Sequence, residues 1–325
     1  MRSDDRIYVA GHTGLAGSAL LRRLRSGGYT NLITRTHAEL DLTDQHATRR
    51  FFADQRPDCV FLAAGKVGGI VANNTYPAEF LAINIAIQTH VIQEAWRAGV
   101  QRLLFLGSSC IYPRDCPQPI REEYLLTGPL EATNRAYALA KIAGVEMCWA
   151  YNRQYGTRYL AAMPTNLYGP GDNYDRQNSH VLPALIRKIH EARVRGAPEV
   201  VLWGSGTPRR EFLYSDDMAD ACVFAMQLDE SDTVANFTGD AHRPPLFNVG
   251  CGEDLTILDL AAHIKQVIGY EGRITFDPTQ PDGTPRKLLD ISKLRALGWT
   301  PKTPLEQGIR WAYQDFLKMQ MAGVH

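Results

Sequence analysis

The chain has 325 residues, 45% of them hydrophobic and 22% charged, with Lys+Arg and Asp+Glu balanced at 35 each. This composition fits a globular protein with a large core and a second lobe, and the even charge argues against nucleic acid or an anionic membrane as partner. No apolar run approaches the ~20 residues that span a bilayer, and the charged start M-R-S-D-D-R is unlike a signal peptide. Six cysteines, at 59, 110, 116, 148, 222 and 251, form no C-x-x-C pair and no metal-ligand spacing, so reduced thiols, a cytoplasmic setting and no bound metal are expected.

In chain order, R-I-Y-V-A (6–10) reads as a strand, Leu15–Ser26 as a helix, 32–35 as a strand and 44–54 as a helix. Strand 58–64, a long helix over 79–98, strand 102–107, helix Arg135–Tyr155 and strand 158–163 follow. Continuous apolar strands separated by helices predict an α/β fold with a doubly wound parallel sheet of the Rossmann kind. The second half is richer in Pro and Gly loops. S-D-D-M-A-D-A (215–221) has a good N-cap start, and 256–264 has helical spacing. The expected division is a dinucleotide-binding domain over 1–165, with returning segments near 213–255, and a smaller α/β substrate lobe over 166–325.

V-A-G-H-T-G-L-A-G (9–17) joins the first strand to the first helix with the spacing G-x-x-G-x-x-G. Gly11 would allow the tight turn, Gly14 the approach of a pyrophosphate and Gly17 the packing of helix on strand. The second strand ends in Thr34 and Arg35 where an NAD site usually carries a carboxylate. A cation there suits the 2′-phosphate of NADP(H), with Asp41 near the adenine. Tyr137 and Lys141 lie four apart on one helix face. The ammonium is expected to lower the phenol's pKa, ordinarily about 10. Ser108, just past a parallel strand, would hold the substrate oxygen that Tyr137 protonates. Cys110 in G-S-S-C-I-Y-P (107–113) reads on its own as a buried filler or as a catalyst.

The glycine turn, Ser108 and Tyr137-x-x-x-Lys141 resemble the extended short-chain dehydrogenase/reductases. A-G-K-V-G-G-I-V-A-N-N-T-Y-P (64–77), L-G-S-S-C-I-Y-P (106–113), M-P-T-N-L-Y-G-P (163–170), N-S-H-V-L-P-A-L (178–185), W-G-S-G-T-P-R-R-E-F (203–212) and P-D-G-T-P-R-K-L-L-D (281–290) are similar to the GDP-L-fucose synthases over nearly the whole chain. The resemblance implies 3,5-epimerisation and NADPH-dependent 4-reduction of GDP-4-keto-6-deoxy-D-mannose, with Cys110 as base and His180 as the opposing acid. It also implies a cofactor site that includes Thr13, Leu15, Leu42, Ala63, Pro164, Asn166, Leu167, His180 and Lys141. Arg210 and Lys188 are candidates for the substrate diphosphate and Trp203 for its sugar or base, with Arg286 and Lys287 as further cations. The implied assembly is a homodimer through a four-helix interface of the helices over 79–98 and Arg135–Tyr155.

Three departures stand out. Gly11-His12-Thr13-Gly14 lacks the arginine of the usual G-H-R-G, His37 replaces another common arginine, and T-N-R-A-Y puts Arg135 before the tyrosine. A related keto-sugar, 3,5-epimerisation alone, a 4-epimerase or 4,6-dehydratase, and a non-catalytic NADP-binding protein are the alternative readings.

Overall fold

The computed structural model describes residues 1–176, 179–228, 243–280, 282 and 284–322. Asn178, Pro281 and Gly283 of the quoted motifs, and 229–242 of the returning segment, lie outside the described residues. The first half runs β1 (Ile7–Ala10), α1 (Leu15–Ser26), β2 (Leu32–Ile33), α2 (Gln45–Gln55), β3 (Cys59–Leu62), α3 (Ile70–Thr75), α4 (Pro77–Arg97), β4 (Arg102–Leu106), α5 (Arg135–Tyr155) and β5 (Arg158–Pro164). The second half adds β6 (Asn166–Tyr168), α6 (Val181–Val194), β7 (Glu199–Trp203), β8 (Arg209–Arg210), β9 (Phe212–Tyr214), α7 (Ser215–Gln227) and β10 (Leu246–Val249). It closes with β11 (Leu255–Thr256), α8 (Ile257–Ile268), β12 (Arg273–Asp277), β13 (Arg286–Lys287), α9 (Ser292–Ala296) and α10 (Leu305–Met321).

Among the described residues, six strands form one sheet in the order β10-β5-β4-β3-β1-β2. Every neighbouring pair is parallel. The four residues of β1, β3 and β10 are all buried, as strands covered on both faces must be. One face packs Leu20 and Leu24 of α1 with Met218 and Cys222 of α7. The other packs Val91 and Ile92 of α4 with Val145 and Cys148 of α5. A third core joins Ile186 and Ile189 of α6, Leu260 and Ile264 of α8, and Ile309 and Phe316 of α10. The chain passes from β1 to β2 on one side and then to β3 on the other. That reversal opens a crevice at the carboxyl ends of β1 and β3, where ligands bind in such sheets.

Three local readings need correction. The second strand stops at Ile33, where its pairing with β1 ends, and Arg35 beyond it donates to the Thr34 carbonyl at 2.7 Å. The long helix starts at Pro77, whose missing N–H costs nothing in a first turn. Ser215 is the first residue of α7 and not its N-cap, which is Tyr214. The reason is tertiary: Ser215 is buried and faces Arg22 of α1, whose guanidinium also pairs with Asp216. By contrast Thr256 caps α8 with a full capping box through Asp259. No helix among the described residues is long and apolar enough to cross a membrane.

The packing of α5 sets the site. Gln88 of α4 donates to the Ala140 carbonyl at 2.6 Å, and Gly144 lets the helix settle onto β4. A Cβ at Gly144 would lie 2.4 Å from Phe105 Cζ and 3.0 Å from Gln88 Oε1. In an open helix, Gly→Ala gains about 0.5–1 kcal/mol. Gly144→Ala is expected instead to cost about 1–3 kcal/mol through overpacking, seen as a lower urea midpoint at unchanged slope. An unchanged or higher midpoint would show that Phe105 yields freely.

Candidate active site

G-H-T-G fills the crevice between β1 and α1. Gly11 has a φ of +82°, and a Cβ there would lie 2.6 Å from the Ala64 nitrogen and 2.9 Å from the Ala63 carbonyl carbon. A Cβ on Gly17 would fall 2.1 Å from the Gly11 oxygen. Both glycines are therefore demanded by the fold. Gly14 is not: the nearest atom to an added Cβ is the Gly11 oxygen at 3.6 Å. The open space there, and the absence of a side-chain cap on α1, leave the first amides of the helix available to an anion. This cradle fits a dinucleotide pyrophosphate.

Around it, Thr13 is exposed, Leu15 is half-buried, and Ala63 and Pro164 follow or end β3 and β5. Asn166 and Leu167 lie on β6, with the Asn166 amide donating to the Glu211 carbonyl at 2.8 Å. Leu42 is buried and its carbonyl meets His90 Nδ1 at 3.0 Å. Arg35 stands over the Phe51 ring at 5.7 Å, and among the described residues no carboxylate lies within ion-pair distance of it. His37 is exposed and 3.9 Å from Asp41. The Asp41 carboxylate accepts from the Thr43 hydroxyl and amide, which hold its pKa low.

The second half of the site forms where β4 ends. Ser108 caps a short turn, Ser109–Ile111, and its hydroxyl accepts from the Cys110 amide at 3.4 Å. That turn places Cys110 in the interior, 7% exposed. From α5, Lys141 donates to the Leu106 carbonyl at 2.9 Å. Its ammonium sits 4.8 Å from the Phe105 ring centre and 5.7 Å from that of Tyr137. Phe80 meets Tyr137 edge-on at 6.1 Å. Burial pushes the Lys141 ammonium down to about 8, with Cys110 opposing.

The Tyr137 phenol is shifted up in this structure, opposite to the direction expected from Lys141, and the cause is burial. Burial drives the phenol's pKa up, the charge of Cys110 adds to that, and a hydrogen bond with Ser108 only partly offsets it. The ammonium is itself buried and committed to the Leu106 carbonyl, so desolvation of the phenol wins. Burial likewise pushes the Cys110 thiol up, against Lys287, Ser108 and Lys141.

The cations of the second half are sorted by strand alternation. In register, β13 pairs Arg286 with Arg209 and Lys287 with Arg210 of β8. Arg209 and Arg286 share the carboxylate of Asp254, and Arg286 also lines the small cavity that holds Lys287. Arg210 donates to the Arg209 carbonyl at 2.8 Å and is desolvated, which pulls its pKa down. Lys287 lines a small cavity with Cys110, Glu131 and Asn134. Asn134 Oδ1 is buried without a hydrogen-bond partner among the described residues. His180 stands at the N-cap of α6; the residue is exposed, yet protein around the ring pushes its pKa down by desolvation. Lys188 lies 5.0 Å over the ring of Trp203, which is 63% exposed, a bare aromatic platform with a cation beside it.

Ser108, Cys110, Tyr137 and Lys141 are thus brought together, with Lys287 and Arg210 on the adjoining strands. Sequence reasoning missed Asn134 and the buried Glu211. The signal for Glu211 was an acidic residue opening the apolar strand F-L-Y.

A profile of the NAD dependent epimerase/dehydratase family matches residues 7–249. The chain is 55% identical to the putative GDP-L-fucose synthase 2 of Arabidopsis thaliana, over 98% of this chain and 93% of that one. It is 52% identical to the GDP-L-fucose synthase of Escherichia coli K12, over 98% of each. A GDP-D-glycero-L-gluco-heptose synthase from Campylobacter jejuni, solved in the presence of NADPH, superposes with a TM-score of 0.90 at 36% identity, covering 98% of this chain and 99% of that one.

Because Lys141 gives up its proton at about pH 8 in the free protein, dinucleotide affinity is expected to fall as pH rises through that value. Lys141→Met should bind more weakly at neutral pH and lose this alkaline limb. Fluorescence titration of the reduced dinucleotide from neutral to alkaline pH checks it; a limb that persists in Lys141→Met would assign it to another group.

Proposed function

The chain belongs to the NAD dependent epimerase/dehydratase family, among its GDP-L-fucose synthases, and we propose that it converts GDP-4-keto-6-deoxy-D-mannose to GDP-L-fucose by 3,5-epimerisation and NADPH-dependent 4-reduction. The observation that carries this reading is a buried thiol, Cys110, inside a Ser108–Tyr137–Lys141 cluster at the carboxyl end of β4. Reduction, 4-epimerisation and 4,6-dehydration have no need of that thiol.

The 4-keto group acidifies the protons on C3 and C5. Cys110 takes a proton from one face and His180 returns one to the other. Ser108 and Tyr137 donate hydrogen bonds to the 4-oxygen as negative charge grows on it. The raised pKa of Tyr137 suits this, because the phenol stays protonated through both inversions and is still available as the final acid. Bound NADPH supplies the hydride to C4. Gly11, Gly14, Gly17, Thr13 and Leu15 would hold its pyrophosphate, Arg35 its 2′-phosphate, Asp41, Leu42 and Ala63 its adenosine side, and Lys141, Pro164, Asn166, Leu167 and His180 its nicotinamide side. Arg210 and Lys188 neutralise the substrate diphosphate, and Trp203 offers its face to the sugar or base.

Residues 1–165 with the returning β10 carry the dinucleotide and the remainder carries the nucleotide-sugar. The chain pairs as a homodimer through α4 and α5, whose Ile85 and Leu139 remain 39% and 41% exposed in one copy. Six free cysteines suit a cytoplasmic setting. A related GDP-4-keto sugar is the second reading, favoured by the exposed Arg135 at the start of α5.

Proton NMR of GDP-4-keto-6-deoxy-D-mannose incubated with the protein in D2O tests the scheme. Deuterium should enter C3 and C5 without cofactor, and added NADPH should then be consumed stoichiometrically. Cys110→Ser should lose exchange by about 100-fold or more with the fold intact. Exchange without oxidation of NADPH would leave an epimerase alone, and oxidation without exchange would return Cys110 to the core.

A further inference from the structure

Two ammonium groups act on Cys110, and only one belongs to the tyrosine helix. Lys141 reaches it from α5 and Lys287 from β13. Lys287 shares a cavity with Cys110, lined also by Tyr112, Gln118, Glu131 and Asn134. The register of β13 on β8 sets Lys287 beside Arg210, while the neighbouring pair, Arg209 and Arg286, turns to Asp254. Among the described residues no carboxylate lies within ion-pair distance of Lys287 or Arg210. A desolvated cation without a close counter-charge is costly, and the more distant carboxylates, Glu131 toward Lys287 and Asp282 toward Arg210, compensate only in part. The substrate diphosphate balances Arg210. For Lys287 the group at hand is the sulfur.

We infer that Lys287 is the electrostatic partner of Cys110, favouring the thiolate form that removes the sugar protons against the burial that opposes it. The inference rests on the epimerase reading above and divides the two lysines: Lys287 serves the thiol, Lys141 the tyrosine and dinucleotide. In the step itself the sulfur gains the proton, the C–H electron pair becomes the C=C bond of an enolate while the C=O π pair moves onto the 4-oxygen, and the ketone re-forms as His180 delivers a proton to carbon from the opposite face. Cys110 must then lose its proton to solvent, and His180 regain one from it, before the next abstraction, so the ease of forming the thiolate bears on the rate of inversion. The groups facing Cys110 are Lys287 of β13, Tyr137 and Lys141 of α5, and Ser108 of its own turn. Those facing Lys287 are Cys110, Arg210 of β8, Cys116 and Glu131. Arg114 and Arg286 also line the cavity, but Arg114 is turned to Glu131 at 3.5 Å and Arg286 pairs with Asp254. Burial raises the thiol's pKa, and among the groups that oppose it Lys287 acts most strongly, ahead of Ser108 and Lys141. Removing that charge therefore lowers the thiolate fraction at any given pH.

The test is iodoacetamide alkylation of the full-length protein as a function of pH, with Cys110 followed by its own peptide in mass spectrometry. Lys287→Met should shift the Cys110 profile to higher pH and slow its alkylation about tenfold at neutral pH, the ratio for one pKa unit. Lys287→Arg should restore it. The pH profile of C3 and C5 exchange should move the same way, in kcat more than in KM. Circular dichroism and NADPH binding confirm the fold, and Lys287→Gln carries the same test if the methionine variant does not fold. An alkylation profile unmoved by either neutral variant, or a loss expressed only as weaker GDP binding, would assign Lys287 to the diphosphate and overturn the inference. Alkylation needs no substrate, so this failure is distinct from a failure of the epimerase reading, which would appear as no exchange in the unsubstituted protein.

Discussion

A buried carboxylate without an ion-pair partner among the described residues holds the two parts of the site in register. Glu211 is fully buried. Its side chain accepts from the amides of Gly252 and Leu289 at 2.6 and 3.0 Å, and its carbonyl accepts from Thr165 and Asn166 at 3.2 and 2.8 Å. The chain leaving β5, the turn after β10 and the stretch after β13 therefore meet at one residue. A Cβ on Gly250 would lie 2.3 Å from the carboxylate, so that turn has room for glycine alone. Burial pushes the carboxyl's pKa up and the backbone donors pull it back. Leaving those amides unpaired would cost about 1–3 kcal/mol for each buried group. Arg210 precedes Glu211 directly, so the same anchor places the cation proposed to meet the substrate diphosphate.

From that frame follows the electrostatic character of the cluster. Every titratable group in it is desolvated, and each is shifted toward its neutral form. For Tyr137 this is useful, because two proton abstractions precede the one proton donation. For Lys141 it means that the positive charge is only loosely held until an anion arrives. For Cys110 it is an obstacle, and cations on two different elements work against it. One oxygen-binding pair, Ser108 and Tyr137, can thus serve two kinds of chemistry, since enolate formation and ketone reduction both place charge on the same atom.

Much of this was legible in residue order. The glycine turn, the paired Tyr137 and Lys141 and the bounds of α1 and α5 depend on local periodicity and on backbone rules that act over a few residues. The need for glycine at positions 11 and 17 was legible too, and the clash distances there supply the reason. Local rules failed where a distant partner claimed a side chain. Ser215 gave up its capping role to face Arg22, and Arg286, one of several cations in a loop, was taken by Asp254.

What residue order alone determined, then, was the alternation of buried strands and helices, the dinucleotide turn and the identity of the chemical groups, because these follow from spacing along one chain. The tertiary structure decided their charge states and partnerships. The direction of the Tyr137 shift depends on how much water α4, α5 and β4 exclude together. Lys287, which shares a cavity with Cys110, comes from β13, far away in sequence, and its place beside Arg210 is set by strand register. Desolvation and pairing are properties of packed neighbours in space, and no local pattern encodes them.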